Sequence, residues 1–285
     1  MNHSSIGAAR WKKFKSSKTA MCGLVVFAAI ALLCLFSRQL FHFDANAIDL
    51  DATLLPPSSL HWLGTDQIGR DILARTFAAG RVSLLVGVAS VALALVIGTV
   101  LGALAGYFGG WVDSLVMRVV DMVMTFPPII VLMTLAAVIG SGTDKTVIVI
   151  GLLSWPLVCR LVRARILSVR EMEFVAAART LGASHAYILL RHCLPNTVDV
   201  LVVFSSLGFV SAIIAEAGLS FLGLGVQFPD ASWGSLISIA REASVLKQYP
   251  WIWLPSGIFI VLTALSANFI GDGLRQSFDP KTIKE

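Results

Sequence analysis

Charged residues are scarce in this chain. Asp, Glu, Lys and Arg make up only 14% of its 285 residues, where soluble domains carry about 25%. With 56% hydrophobic residues and a mean hydropathy of +0.82, it has too little polar surface to cover a water-soluble core. A bilayer as solvent removes that difficulty. Cysteine is sparse too. Cys22, Cys34, Cys159 and Cys193 form no Cys-x-x-Cys pair, which argues against a disulfide framework or a zinc site. A basic patch is also missing. The net charge is +5, but the basic residues sit between long apolar runs, where they set membrane orientation rather than meet nucleic acid.

Long apolar runs are what the chain has. A helix needs about 20 apolar residues to cross a bilayer. Uncharged stretches run from Thr19 to Ser37, Val82 to Val112, Met122 to Thr143, Thr146 to Cys159, Val200 to Ala215 and Gln248 to Gly271. The fourth can extend past Arg160 by snorkelling of that side chain, and the fifth can begin near Val198. Six spans are therefore expected in an all-α membrane protein. The first run follows Lys12, Lys13, Lys15 and Lys18 and could be read as a signal peptide. However, Arg38, His42 and Asp44 separate it from the cleavage-like Ala45-Asn46-Ala47, which favours an uncleaved span. The 22 Lys and Arg divide fifteen to seven when the N-terminus is placed inside, so both termini are expected in the cytoplasm.

This layout predicts three parts. Residues 1–81 hold a basic cytoplasmic tail, the first span and an outer segment. Residues 82–271 hold five spans, and residues 272–285 form an inner tail. Gly98, Gly102 and Gly106 lie at four-residue spacing on one helix face, which suits either a tight translocation core or ordinary helix packing. Pro127-Pro128 and Pro156 are expected to bend spans three and four. Asp121, Asp199 and Glu216 fall near span ends and read as solvated end residues. His185 and His192 read as exposed polar surface. A secondary transporter should carry working carboxylates at mid-membrane, and none is evident in the sequence.

The most informative stretch lies between spans four and five, at about residues 170–196. Val175 to Arg179 is alanine-rich and favours helix. Gly182 suits a left-handed stop, and Ser184 suits the cap of a second helix. Tyr187, Leu190 and Leu194 then fall on one apolar face, and Pro195 is expected to end the helix. Two short helices around a glycine bend would project from the membrane, with small side chains leaving room for a partner. An amphipathic loop lying on the bilayer is the alternative.

The same spacing resembles the coupling loop of ABC importer membrane subunits: Glu-Ala-Ala, three residues, Gly, nine residues, an apolar residue, any residue, Leu-Pro. Ala177, Ala178, Gly182, Leu194 and Pro195 fit it. Ala176 stands where the pattern has Glu and His192 where it has an apolar residue. Glu173 is the nearest acidic substitute. His61-Trp62-Leu63-Gly64-Thr65-Asp66-Gln67-Ile68-Gly69-Arg70-Asp71, Ser220-Phe221-Leu222-Gly223-Leu224-Gly225 with Ser232-Trp233-Gly234, and Asn268 to Arg275 before Asp279-Pro280 are similar to the dipeptide, oligopeptide and nickel permease group.

The resemblance covers nearly the whole chain. It implies a type I importer fold in a bacterial cytoplasmic (inner) membrane. The implied partners are a second permease subunit, two ATPase subunits and an extracytoplasmic binding protein, with lipid around the spans. Short peptides are the expected cargo, with nickel, metal-opine or glutathione import as alternatives. The expected coupling residues are Glu173, Ala177, Ala178, Gly182, Leu194 and Pro195. Asp66, Arg70 and Asp71 would pair internally or meet the binding protein. Gly64 to Arg70 has the outline of a phosphate loop, but Arg70 and Asp71 replace its Lys and Ser/Thr, so nucleotide is not expected there. ATP and Mg are expected on the partner subunits, and this chain is expected to bind no cofactor and to be no enzyme.

Overall fold

The computed structural model describes residues 3–40 and 44–278, with side chains described for 10–37, 39 and 44–278. Asp279-Pro280 and the rest of the expected inner tail lie outside the described residues. Helix α1 (His3–Ser16) is basic and short. Ser17 is extended, and its hydroxyl caps α2 (Lys18–Leu35) by accepting from the Ala20 amide. An outer segment of turns follows. Helix α3 (Ile72–Phe108) then begins ten residues before the apolar run does, because the Asp71 carboxylate caps it at the Ala74 amide. Residue 81 therefore lies within a helix.

The third expected span is two helices, α4 (Gly110–Thr125) and α5 (Pro128–Ile139), bent by 92° at the proline pair. Phe126 and Pro127 are both extended in ψ, as a residue before proline is required to be. Pro128 then starts the new helix, where its missing N–H costs nothing. Helix α6 (Thr143–Arg170) continues without a break past Pro156 and eleven residues beyond Cys159.

Helix α7 (Glu173–Thr180) is followed by α8, helical without interruption from His185 to Phe221. Pro195 does not end it, contrary to expectation. The turn Leu189–Cys193 widens to π geometry, the Leu194 amide reaches back to the Leu189 carbonyl, and a 3-10 turn over Leu194–Thr197 carries the chain past the proline. A widened turn is a known way to absorb a proline's lost hydrogen bond and ring clash. Short helices α9 (Trp233–Ser238) and α10 (Ala243–Gln248) precede α11 (Pro250–Phe278). Residue 271 falls inside α11.

Five of these helices are long and apolar enough to span a membrane, and the bent α4–α5 pair counts as a sixth. Among the described residues there is no strand. The most extensive pairing is α3 with α6. It runs along the glycine stripe. A Cβ on Gly98 would meet Val158 at 2.5 Å, one on Gly102 the Cys159 carbonyl oxygen at 2.5 Å, and one on Gly106 the Arg163 carbonyl oxygen at 2.8 Å. Three missing side chains thus set the distance between the two helices.

Candidate functional site: the loop between α6 and α8

Helix α7 starts on Glu173, whose negative charge suits the exposed backbone amides of a first turn. It stops at Thr180, and Gly182 follows at φ +81, where a Cβ is disfavoured. The Ser184 hydroxyl accepts from the Tyr187 amide at 3.3 Å and starts α8. Two helices around a glycine bend are therefore present.

One face of this hairpin is anchored. Val175, Ile188 and Cys193 are buried in a cluster with Val162, Ile166 and Val169 of α6. The other face is open. Glu173, Ala176, Ala177, Gly182 and Pro195 are exposed, while Ala178 and Leu194 are half-buried. Leu181 is 87% exposed, and Tyr187 and Leu190 are also exposed. The apolar face read from Tyr187, Leu190 and Leu194 is thus turned mostly outward. The inward contacts come from Ile188 and Cys193 instead.

The C-terminal half of α6 ties this hairpin to the bundle through arginines. Arg163 grips both carboxylate oxygens of Asp113 on α4, one of them at 2.5 Å. Arg160 reaches Asp121 of the same helix. Arg165 donates to Asp199 on α8 at 3.0 Å and to the Asn196 carbonyl, one residue past Pro195, at 2.9 Å. Arg170 donates to the Gly106 carbonyl at the end of α3, 3.0 Å away. Asp121 and Asp199 are therefore ion-pair partners rather than merely solvated ends. His185 is exposed, yet its ring shares a 3.0 Å hydrogen bond with the Tyr107 hydroxyl. His192 sits between the rings of Phe174 and Tyr187.

At the opposite end, the outer segment is held by its own acids. Asp66 is 1% exposed. It accepts from the amides of Ile68 and Arg70 at 3.0 Å and from Arg70 Nε at 2.7 Å, with Arg75 Nε 3.5 Å away. Asp71, besides capping α3, pairs with His61 Nδ1 at 2.9 Å. Asp66, Arg70 and Asp71 thus pair within the chain and shape the loop.

The loop between α6 and α8 is thus braced to the spans on one side and bare on the other. Residues 98–284 match the family described as the binding-protein-dependent transport system inner membrane component. The chain belongs to that family. Residues 5–57 also match the N-terminal transmembrane domain of oligopeptide transport permease C. A Brucella suis protein with the provisional name of a peptide permease is 49% identical, over 94% of this chain and 89% of its own length. The dipeptide transport system permease of Alkalihalophilus pseudofirmus is 38% identical over 95% of this chain and 88% of its own. The glutathione transport system permease of Pectobacterium atrosepticum is 40% identical over 95% and 90%. A chain of the inward-facing MetNI methionine ABC transporter shares the fold at 18% identity, with a TM-score of 0.57 over 70% of this chain and 94% of that one. This is a multi-pass inner-membrane protein.

Glu216 is where the sequence reading fails most clearly. It is 0% exposed, not a solvated end residue. Its Oε2 accepts from Ser83 of α3 at 3.0 Å and its Oε1 from Ser220 at 2.7 Å. Ser83 in turn accepts the Trp233 amide at 3.1 Å, and Ser220 accepts the Val226 amide at 3.0 Å and the Ser232 hydroxyl at 3.3 Å. The carboxyl group thus joins α3, α8 and the segment leading into α9. It lies five positions before the end of α8 at Phe221, about 8 Å along the axis, so it sits near the C-terminal end of the span rather than at its middle. The faint signal was the serines: Ser83, Ser220 and Ser232 are the hydroxyls a buried carboxylate needs, but they lie far apart in sequence.

Proposed function

We propose that this chain is one of two permease subunits of an ABC importer for short peptides, driven by ATP hydrolysis in partner subunits. The observation that carries the reading is the exposed apolar tip of Leu181, Tyr187 and Leu190 beside the small residues Ala177 and Gly182. Such a patch on a braced element fits a partner surface. An ATPase subunit would seat there, with both termini on the same cytoplasmic side. An extracytoplasmic binding protein would deliver substrate at the other end.

The anchoring supports a coupling role. Val175, Ile188 and Cys193 lie against α6, and Arg165 ties the end of the loop to the start of the next span. A push on the tip would therefore be carried to α6 and α8 instead of bending the loop. Closure of two ATPase subunits would shift the spans between inward- and outward-open states. It can do so only through contacts that differ between those states. The peptide assignment rests on the relatives' names, glutathione being itself a small peptide.

The test is co-purification of the ATPase and ATP-dependent uptake of a labelled dipeptide. Ala177→Trp places bulk on an exposed position, so the fold should survive while both readouts fall by at least about tenfold, the equivalent of one poorly fitting contact. Gly182→Pro should do the same by closing off the left-handed bend. Normal uptake by Ala177→Trp would sink the assignment of the tip.

A further inference from the structure

We propose that helix α1 is a headgroup-binding element that takes the phosphodiester of an anionic phospholipid, such as phosphatidylglycerol, at the end of the bundle where α2 enters the membrane. Arg10, Lys12, Lys13, Lys15 and Lys18 fall within nine positions, and no Asp or Glu precedes Asp44. The chain therefore supplies no nearby acid in sequence to neutralise them. Structure adds to this. Arg10 Nε and Lys13 Nζ are enclosed and have no hydrogen-bond partner among the described residues.

The helix is also fixed in place. Phe14 is buried, and its ring lies against Gly273 of α11, so close that a Cβ there would meet it at 3.0 Å. Arg10 sits over the Phe278 ring at 4.4 Å. With Phe14 turned inward, Trp11, Lys12, Lys15 and Lys18 are exposed. The Lys15 ammonium lies 5.2 Å from the Trp11 ring, which is 52% exposed. An exposed indole beside ammonium groups, on a helix separated from a membrane span by the single residue Ser17, matches the chemistry of the headgroup layer: the ring sits at the acyl boundary and the cations meet phosphate. The indole stacks on Phe14 at 5.6 Å, yet stays half exposed; an acidic protein surface would satisfy the lysines but gives no reason for that exposed apolar ring. Positive charge for orientation alone would need neither the indole nor the anchoring of Phe14.

The test uses the assembled transporter in detergent, titrated with brominated phosphatidylglycerol or brominated phosphatidylcholine. Trp11 emission is isolated as the difference between the wild type and Trp11→Phe. Quenching should favour phosphatidylglycerol. The preference should fall by about tenfold or more in the triple variant K12Q/K15Q/K18Q, since each basic group near an anionic surface contributes substantially. It should persist in K12R/K15R/K18R, which keeps charge and orientation. Equal quenching by both lipids in the wild type, an undiminished preference in the glutamine variant, or crosslinking of residue 12 to a partner protein in place of lipid would each overturn the proposal. Inorganic phosphate should not compete at millimolar concentration; if it displaces the lipid signal, the site is for free anion. These readouts do not involve uptake, so they stand or fall separately from the peptide-import reading.

Discussion

Glu216 is fully buried and accepts from Ser83 and Ser220, with no cation paired to its carboxylate among the described residues. Removing it leaves two buried hydroxyls that were oriented by it, and through them loosens the Trp233 and Val226 amides. Loss of a buried hydrogen-bonding partner costs about 1–3 kcal/mol per group left unsatisfied. Glu216→Ala should therefore lower the thermal midpoint of the purified complex by several degrees, with Glu216→Gln in between because one acceptor oxygen remains. An Ala variant as stable as the wild type would mean that the serines re-pair among themselves. The Arg163–Asp113 pair makes a second residue-scale prediction. Both side chains are at most 30% exposed and the contact has two bonds. A double-mutant cycle with Arg163→Ala and Asp113→Ala should give a coupling of about 1–2 kcal/mol. A coupling near zero would assign the pair to the solvated rim.

Elements show how far local patterns reach. The helix stop at Gly182 and the cap at Ser184 follow from φ preference and a single hydroxyl, and both stand in the structure. The start of α3 and the passage of α8 through Pro195 do not follow from local patterns. A hydropathy run does not register the Asp71 cap eleven residues upstream of it. A proline rule does not register the widened turn over Leu189–Cys193 that leaves the helix intact. The glycine stripe has both readings in sequence. The structure places it against α6, with the Cys159 carbonyl 2.5 Å from where a Gly102 Cβ would sit. Gly102→Val must push α3 and α6 apart, and overpacking of this kind costs about 1–3 kcal/mol or more. Sharply lower yield of folded complex is expected, measured by size-exclusion chromatography. A normal yield would show that the α3–α6 interface can shift without penalty.

At the scale of the whole molecule, the arginines of α6 divide their partners among α3, α4 and α8, so the loop-side ends of four helices are tied together. The outer segment is knotted separately by Asp66 and Asp71. The proposed orientation puts these two clusters on opposite sides of the membrane. Single cysteines introduced in a Cys22→Ser background provide the check. Trp62→Cys should label with an impermeant maleimide in intact spheroplasts, whereas Ser16→Cys and Glu173→Cys should label only after permeabilisation. The reverse pattern would invert the topology and remove the ATPase from the loop.

Composition alone determined that this chain lives in a bilayer, because its scarcity of charge is a property of the sum and needs no geometry. The spacing from Ala177 to Pro195 located the loop, because helix stops and caps act over a few residues. Which side of that loop faces the bundle, and which is bare, was decided only by packing: Ile188 and Cys193 turn inward while Tyr187 and Leu190 turn out. The roles of Asp121, Asp199 and Glu216 were also decided in three dimensions. A carboxylate's environment is set by the arginine or serine that reaches it, and those partners lie 34 to 133 residues away, or reach it from the same helix turn, as Ser220 does.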